Sequence, residues 1–168
     1  SNGAADLIRQ ELLMRIGRYQ ALRVIYDGAA SADYTINVNL YPSDGGLLAN
    51  TFVVDRSAGR VVWSGSEKVT RDPDRHFSGS PYIARTAFTV SQGTGVIHSN
   101  ERRRGRAPDT PYGCWLRFTT LMANNHLIGD PALSKCAAAW HEAVPDHPLA
   151  SSLYAWTLID QSIVEVSE

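Results

Sequence analysis

Five histidines, two cysteines, an arginine run and a pair of close glycines are the residues whose types could do chemistry. A metal needs ligands at short, regular spacing, and His76, His98, His126, His141 and His147 show none. His141 and His147 flank Pro145, which interrupts the helix that would align them. Each reads as a surface or cap histidine. Cys114 and Cys136 form no CxxC and are too few for a disulfide scaffold. Cys114 has no base near it in sequence, so it reads as an inert buried thiol. The stretch Gly93-Thr94-Gly95 opens like a dinucleotide fingerprint but lacks the third glycine and follows no strand. No phosphate loop, nucleophile elbow or HExxH is present. The spacing therefore supplies no catalytic, metal or cofactor site. The alternative is a small stand-alone hydrolase or ligand-binding enzyme whose serine, histidine and aspartate converge only in space.

The run Glu101 to Arg106 is the one charge cluster, with Arg102, Arg103 and Arg104 at its centre. Cations at a helix carboxyl end offset the partial negative charge there, which is the structural reading. The sharper reading is a contact to phosphate or nucleic acid. Asp109 and a net charge of −1 dilute the field, so no direct nucleic-acid binding is expected. Trp115, Phe118, Trp140, Tyr154 and Trp156 recur at helical spacing and read as inter-helix core. Trp115, Trp140 and Trp156 are also candidates to line a groove for a peptide.

These residues must be positioned by elements that the pattern makes legible. A chain of 168 residues, 43% hydrophobic and 20% charged, is expected to bury one core, or one core with a helical extension. It has no apolar run of membrane-spanning length and no secretory pattern. Ser1-Asn2 reads as an expression remnant, so the chain reads as an excised segment. The expected location is the cytoplasm, with the periplasmic part of a membrane-anchored regulator as the alternative.

Leu7, Ile8, Leu12, Ile16 and Tyr19 predict an opening helix that frays at Gly17. Ala21 to Tyr26 predicts a short buried strand. Ile36, Val38 and Leu40 alternate with Asn37, Asn39 and Tyr41, which predicts a half-buried strand turning back at Ser43 to Gly46. A second hairpin at Arg56-Ser57-Ala58-Gly59 completes a three-stranded antiparallel meander, one face covered by the helix. Residues 71–80 read as a loop. Pro81 opens a helix carrying Ile83, Ala87, Val90, Thr94 and Ile97 on one face. Gly93 and Gly95 mark either a close approach to the sheet or a break. Three helices follow, at about 112–124, 131–143 and 149–165, with Asp130 before Pro131 as a cap. The fold class is α+β: a small, mostly antiparallel sheet (helix, strand, three-stranded meander) packed with helices, then a helical segment. The expected divisions are 4–70, a connector at 71–111, and 112–168.

The stretch Ala32 to Val69 resembles the amino-terminal α/β domain of TolB. It is closer still to the TolB-like module of bacterial winged-helix transcriptional regulators and class III adenylate cyclases. Asp55, Gly59 and Trp63 stand at the places of the "D-x-x-x-G-x-x-x-W" signature on its second hairpin. Residues 7–25 resemble the preceding helix and strand. Residues 111–118 and 133–159 resemble the tetratricopeptide-like helices that follow the module. The family's opening strand is not in this chain, and its inserted helix is cut to about Asp27 to Ser31. The resemblance implies a non-catalytic, sensor-side segment of a larger signalling protein, whose partner is another protein or its own effector domain.

The signature residues have physical roles as well. Asp55 is expected to bond the turn backbone, Gly59 to supply a positive φ, and Trp63 to pack on the sheet. If the first two carboxyl-terminal helices are antiparallel about residue 128, Cys136 lies opposite roughly Thr120. Cys114 is then about 9 Å away along the axis, beyond the usual disulfide Cα spacing of about 4.4–6.8 Å. Two buried thiols are expected; a tilted pair or a shorter first helix would instead allow a bridge. The strand at Ala21 to Tyr26 is expected to leave an open edge, filled by an upstream strand in the intact protein and, in this segment, by a second copy of the chain or by the amino terminus folded over it.

Overall fold

A computed structural model describes residues 2–19, 21–25, 32–44, 46–69, 81–105, 109–124 and 129–166. The chain is α+β, with a three-stranded antiparallel sheet in the order β1-β2-β3. In chain order the elements are α1 (Asn2–Gly17), β1 (Tyr34–Ser43), β2 (Gly46–Asp55), β3 (Arg60–Val69), α2 (Pro81–Ser91) and α3 (Val96–Arg103). Then follow α4 (Pro111–Ala123), α5 (Pro131–Ala143) and α6 (Pro148–Val166). Two compact units result, Ser1–Asn100 and Glu101–Glu168. α2 belongs to the first unit, where its buried face packs with α1 and the sheet. The loop expected at 71–80, with His76, lies outside the described residues, as does His126.

In the first unit the core lies on one face of the sheet. Ile8, Leu12 and Ile16 of α1, four residues apart, meet Ala49, Val69, Tyr82, Ile83 and Ala87. Leu7 belongs to the predicted stripe by spacing but is 44% exposed, because the strict four-residue step puts the core row at 8, 12 and 16. Tyr82 of α2 shares a buried hydrogen bond with Thr51 of β2, 2.6 Å between the hydroxyls. Burial raises the Tyr82 hydroxyl above its usual pKa, against the lowering pull of hydrogen bonds with Thr51 and Thr86. At the surface, Arg85 pairs with Glu67. A second cluster, Val53, Val90 and Ile97, is flanked by Trp63 and Val62.

Two expectations are corrected here. Ala21 to Ile25 carry no strand, and Tyr26 lies outside the described residues. The segment instead continues the end of α1 as turns: Tyr19 N–H donates to the Ile16 carbonyl and Leu22 N–H to that of Tyr19. Leu22 and Val24 reach the core without a ladder, so apolar content alone did not make a strand. Among the described residues the sheet has three strands rather than four, and its edge strands are β1 and β3.

The long helix from Pro81 breaks after Ser91, and of the two roles open to Gly93 and Gly95 it is the break that occurs. Gly95 N–H donates to the Gln92 carbonyl, and the Gly95 carbonyl accepts from Ser99 N–H to start α3. A Cβ at Gly95 would lie 2.8 Å from the carbonyl oxygens of both Gln92 and Thr89. Those are backbone atoms and cannot swing away. Gly95→Ala is expected to destabilise the chain by about 1–3 kcal/mol, as overpacking does, measured by denaturant unfolding. An unchanged midpoint would show that the turn yields.

Candidate functional site

The signature hairpin anchors a connected polar cluster in the first unit. Asp55, fully buried at the end of β2, accepts at Oδ1 from the Ser57 hydroxyl (2.7 Å) and from Ala58 N–H (3.1 Å). At Oδ2 it accepts from the Asn100 amide (2.8 Å). That amide also reaches the Tyr34 hydroxyl at 2.7 Å, and Arg60 donates to Asn100 Oδ1 at 3.3 Å. A carboxylate taken out of water is costly unless donors surround it, and these donors are drawn from the turn and from α3. Gly59 sits at φ 61°, the left-handed conformation the turn requires. Trp63 lies on the core face of the sheet, flanking Val53, Val90 and Ile97. Its indole occupies the space over Gly65, where a Cβ would come within 2.6 Å of the ring. A register shift between Val53 and Val54, opposite Val61 to Trp63, is the bulge that aims it there. All three signature residues hold the structure in the roles expected of them.

The arginine run ends α3 and is mostly spoken for. Arg104 pairs with buried Glu101 at 2.9 Å, and Arg102 donates to the Thr119 hydroxyl at 3.2 Å. Burial pulls the Arg102 guanidinium below its usual pKa, with Tyr112 acting the other way. Arg103 is exposed. The helix closes on Gly105 at φ 65°.

In the second unit, α4, α5 and α6 enclose Cys114, Leu133, Ala137, Trp140, Ala150 and Leu153. Trp140 is core. Trp115 and Trp156 are half-buried and flank Phe118, with centroids 5.8 and 5.5 Å from it. Cys114 and Cys136 are joined in a disulfide, Cα atoms 5.8 Å apart, which overturns the expectation of two thiols. The error lay in taking one turn at residue 128 as the pivot. Measured from the helix ends at Ala123 and Pro131, the axial offset is only about 6 Å. Asp130 caps α5 as expected, accepting from Leu133 N–H at 2.7 Å. It also receives a two-pronged bond from Arg117 of α4, at 3.0 and 2.7 Å, which no sequence signal announced. Asp160 of α6 accepts from Gly129 N–H at 2.7 Å and ties the α4–α5 connection to the third helix.

The scattered Ser, His and Asp do not assemble into hydrolase geometry among the described residues. His98 is buried with Nε2 on the Ser91 carbonyl. His141 stacks on Tyr154 and stands 3.4 Å from the Ser151 hydroxyl. That hydroxyl has one proton, and it points at the Pro145 carbonyl 2.6 Å away. His147 packs on Trp140. No three His, Cys, Asp or Glu converge as a metal would need among the described residues. No family model, curated protein or solved structure matches the chain.

Two measurements follow. Thiol titration of the unfolded, unreduced protein is expected to find no free thiol; two would contradict the bridge. The Asp130 carboxyl is held below its usual pKa, chiefly by the Arg117 hydrogen bond. A lowered folded pKa contributes stability that is present above the unfolded value of about 3.9 and lost as pH falls through the folded one. Arg117→Gln is therefore expected to lower stability by about 0.5–1 kcal/mol near pH 7. The difference between variant and parent should shrink below about pH 4, and a gap unchanged at low pH would refute the ion pair.

Proposed function

We propose that the chain is a non-catalytic, sensor-side segment of a larger bacterial signalling protein, a transcriptional regulator or an adenylate cyclase. It acts through protein contacts, either with its own effector domain or with another copy of itself. The observation that carries this reading is the use made of its best chemical groups. Asp55, Asp130 and Asp160 each bond donors that hold a turn, a cap or a helix connection. The Ser151 proton is held by a backbone carbonyl. The resemblance of the signature hairpin and of the three carboxyl-terminal helices to regulator modules supports the class.

The disulfide bears on location. Such bridges persist in oxidising compartments and are rare in the cytosol, so Cys114–Cys136 supports the periplasmic side of a membrane-anchored regulator over the cytoplasm. No described helix of this chain is long and apolar enough to cross a membrane, so the anchor is assigned to another part of the protein.

Topology reporters on the intact gene product test this reading. Alkaline phosphatase fused after Glu168 is expected to be active and β-galactosidase at the same place silent, with a winged helix or cyclase encoded in the same frame. The reverse reporter pattern would overturn the location. A hydrolytic activity of the purified chain abolished by Ser151→Ala would overturn the class.

A further inference from the structure

The edge of β1 is built unlike the edge of β3. β3 carries Arg60, Glu67 and Lys68 and is bulged against β2, all devices that discourage strand addition. β1, from Tyr34 to Ser43, has ten residues and no charged side chain. Among the described residues, no strand pairs with its outer side.

Which backbone groups face outward follows from the register. Ser43 pairs with Gly46 across a two-residue connection, which closes on a hydrogen-bonded pair. Thr35, Asn37, Asn39 and Tyr41 then turn their N–H and C=O toward β2. The bond from Arg56 N–H to the Asp33 carbonyl keeps the same parity at the far end. Ile36, Val38 and Leu40 consequently turn their backbone groups away from β2. Their side chains flank the core and stay half-buried, whereas Ala49 and Val53 of the central strand are fully buried. A strand added outside β1 would cover them.

The order of residues says which strand fits. About Val38 the sequence is a near-palindrome: Thr35-Ile36-Asn37 on one side, Asn39-Leu40-Tyr41 on the other. An antiparallel second copy centred there sets Val38 against Val38, Ile36 against the partner's Leu40 and Asn37 against the partner's Asn39. Apolar side chains meet on the core face and amides meet on the other. With no charge on the strand, self-pairing meets no like-charge conflict. The two-fold axis is perpendicular to the sheet, so both helix layers fall on the same side of one six-stranded sheet.

We propose that the outer edge of β1 is a self-association surface, pairing two copies of this chain antiparallel about Val38. The proposal rests on reading the chain as an interaction module and names the partner of its sheet. The topology reporters examine that reading separately, so either can fail alone.

Sedimentation velocity of the whole chain, 18.4 kDa as a monomer, is the test. Near 100 µM, about a hundredfold above a micromolar dissociation constant, the chain is expected to sediment at twice that mass. Asn37 and Asn39 are exposed, so charges there leave the core alone. In the proposed register Asn37→Lys with Asn39→Lys places like charges opposite, and Asn37→Lys with Asn39→Glu places opposite charges together. The first double variant should dissociate at least about tenfold more readily than the second, with the same far-ultraviolet dichroism in both. A parent that stays monomeric overturns the proposal. So does a dimer that both double variants leave equally strong.

Discussion

A carboxylate without water must be given its donors by the chain, and Asp55 is where the first unit meets that constraint. Three groups converge on it, the Ser57 hydroxyl and the Ala58 N–H from the adjoining turn and the Asn100 amide from α3. The first two shape the β2–β3 turn, which needs Gly59 at positive φ to close. The third fastens α3 to the end of the sheet. Asn100 in turn holds Tyr34 at the start of β1 and Arg60 at the start of β3. One buried acid thereby links all three strands at one end of the sheet with a helix forty-five residues on. Unfilled, that site would cost the fold a desolvated charge.

The second unit solves the same problem with different chemistry. Its apolar core of Leu133, Ala137, Trp140, Ala150 and Leu153 is small, and the helices are fastened by specific links as well. The disulfide joins α4 to α5, the Arg117–Asp130 pair joins them again one turn along α4, and Asp160 bonds the connection between them from α6. Each link uses a residue type that might have been catalytic elsewhere. Here the cysteines are bridged, Asp130 is a cap and Asp160 holds a backbone N–H of the connection.

What could be read from the sequence was local. The β2–β3 hairpin, the cap at Asp130 and the three terminal helices each depend on residues a few positions apart, where turn and cap chemistry is specific. The Asp55 turn bonds were legible for that reason; Asn100 was not, because nothing near it in sequence marks it as a partner forty-five residues away. The strand expected at Ala21 to Ile25 failed because burial of Leu22 and Val24 needs no ladder. The disulfide was misjudged because helix offset depends on where each helix ends, and a few residues there change the axial distance by several ångströms.

The central claim is that Asp55 and Asn100 form a structural pair on which the first unit depends. A double-mutant cycle measures it directly, comparing denaturant stabilities of the parent, Asp55→Ala, Asn100→Ala and the double variant. Residues sharing a buried hydrogen bond are expected to couple by about 1–3 kcal/mol, so the double variant should lose less than the sum of the singles. Losses that add to within about 0.5 kcal/mol would contradict the account.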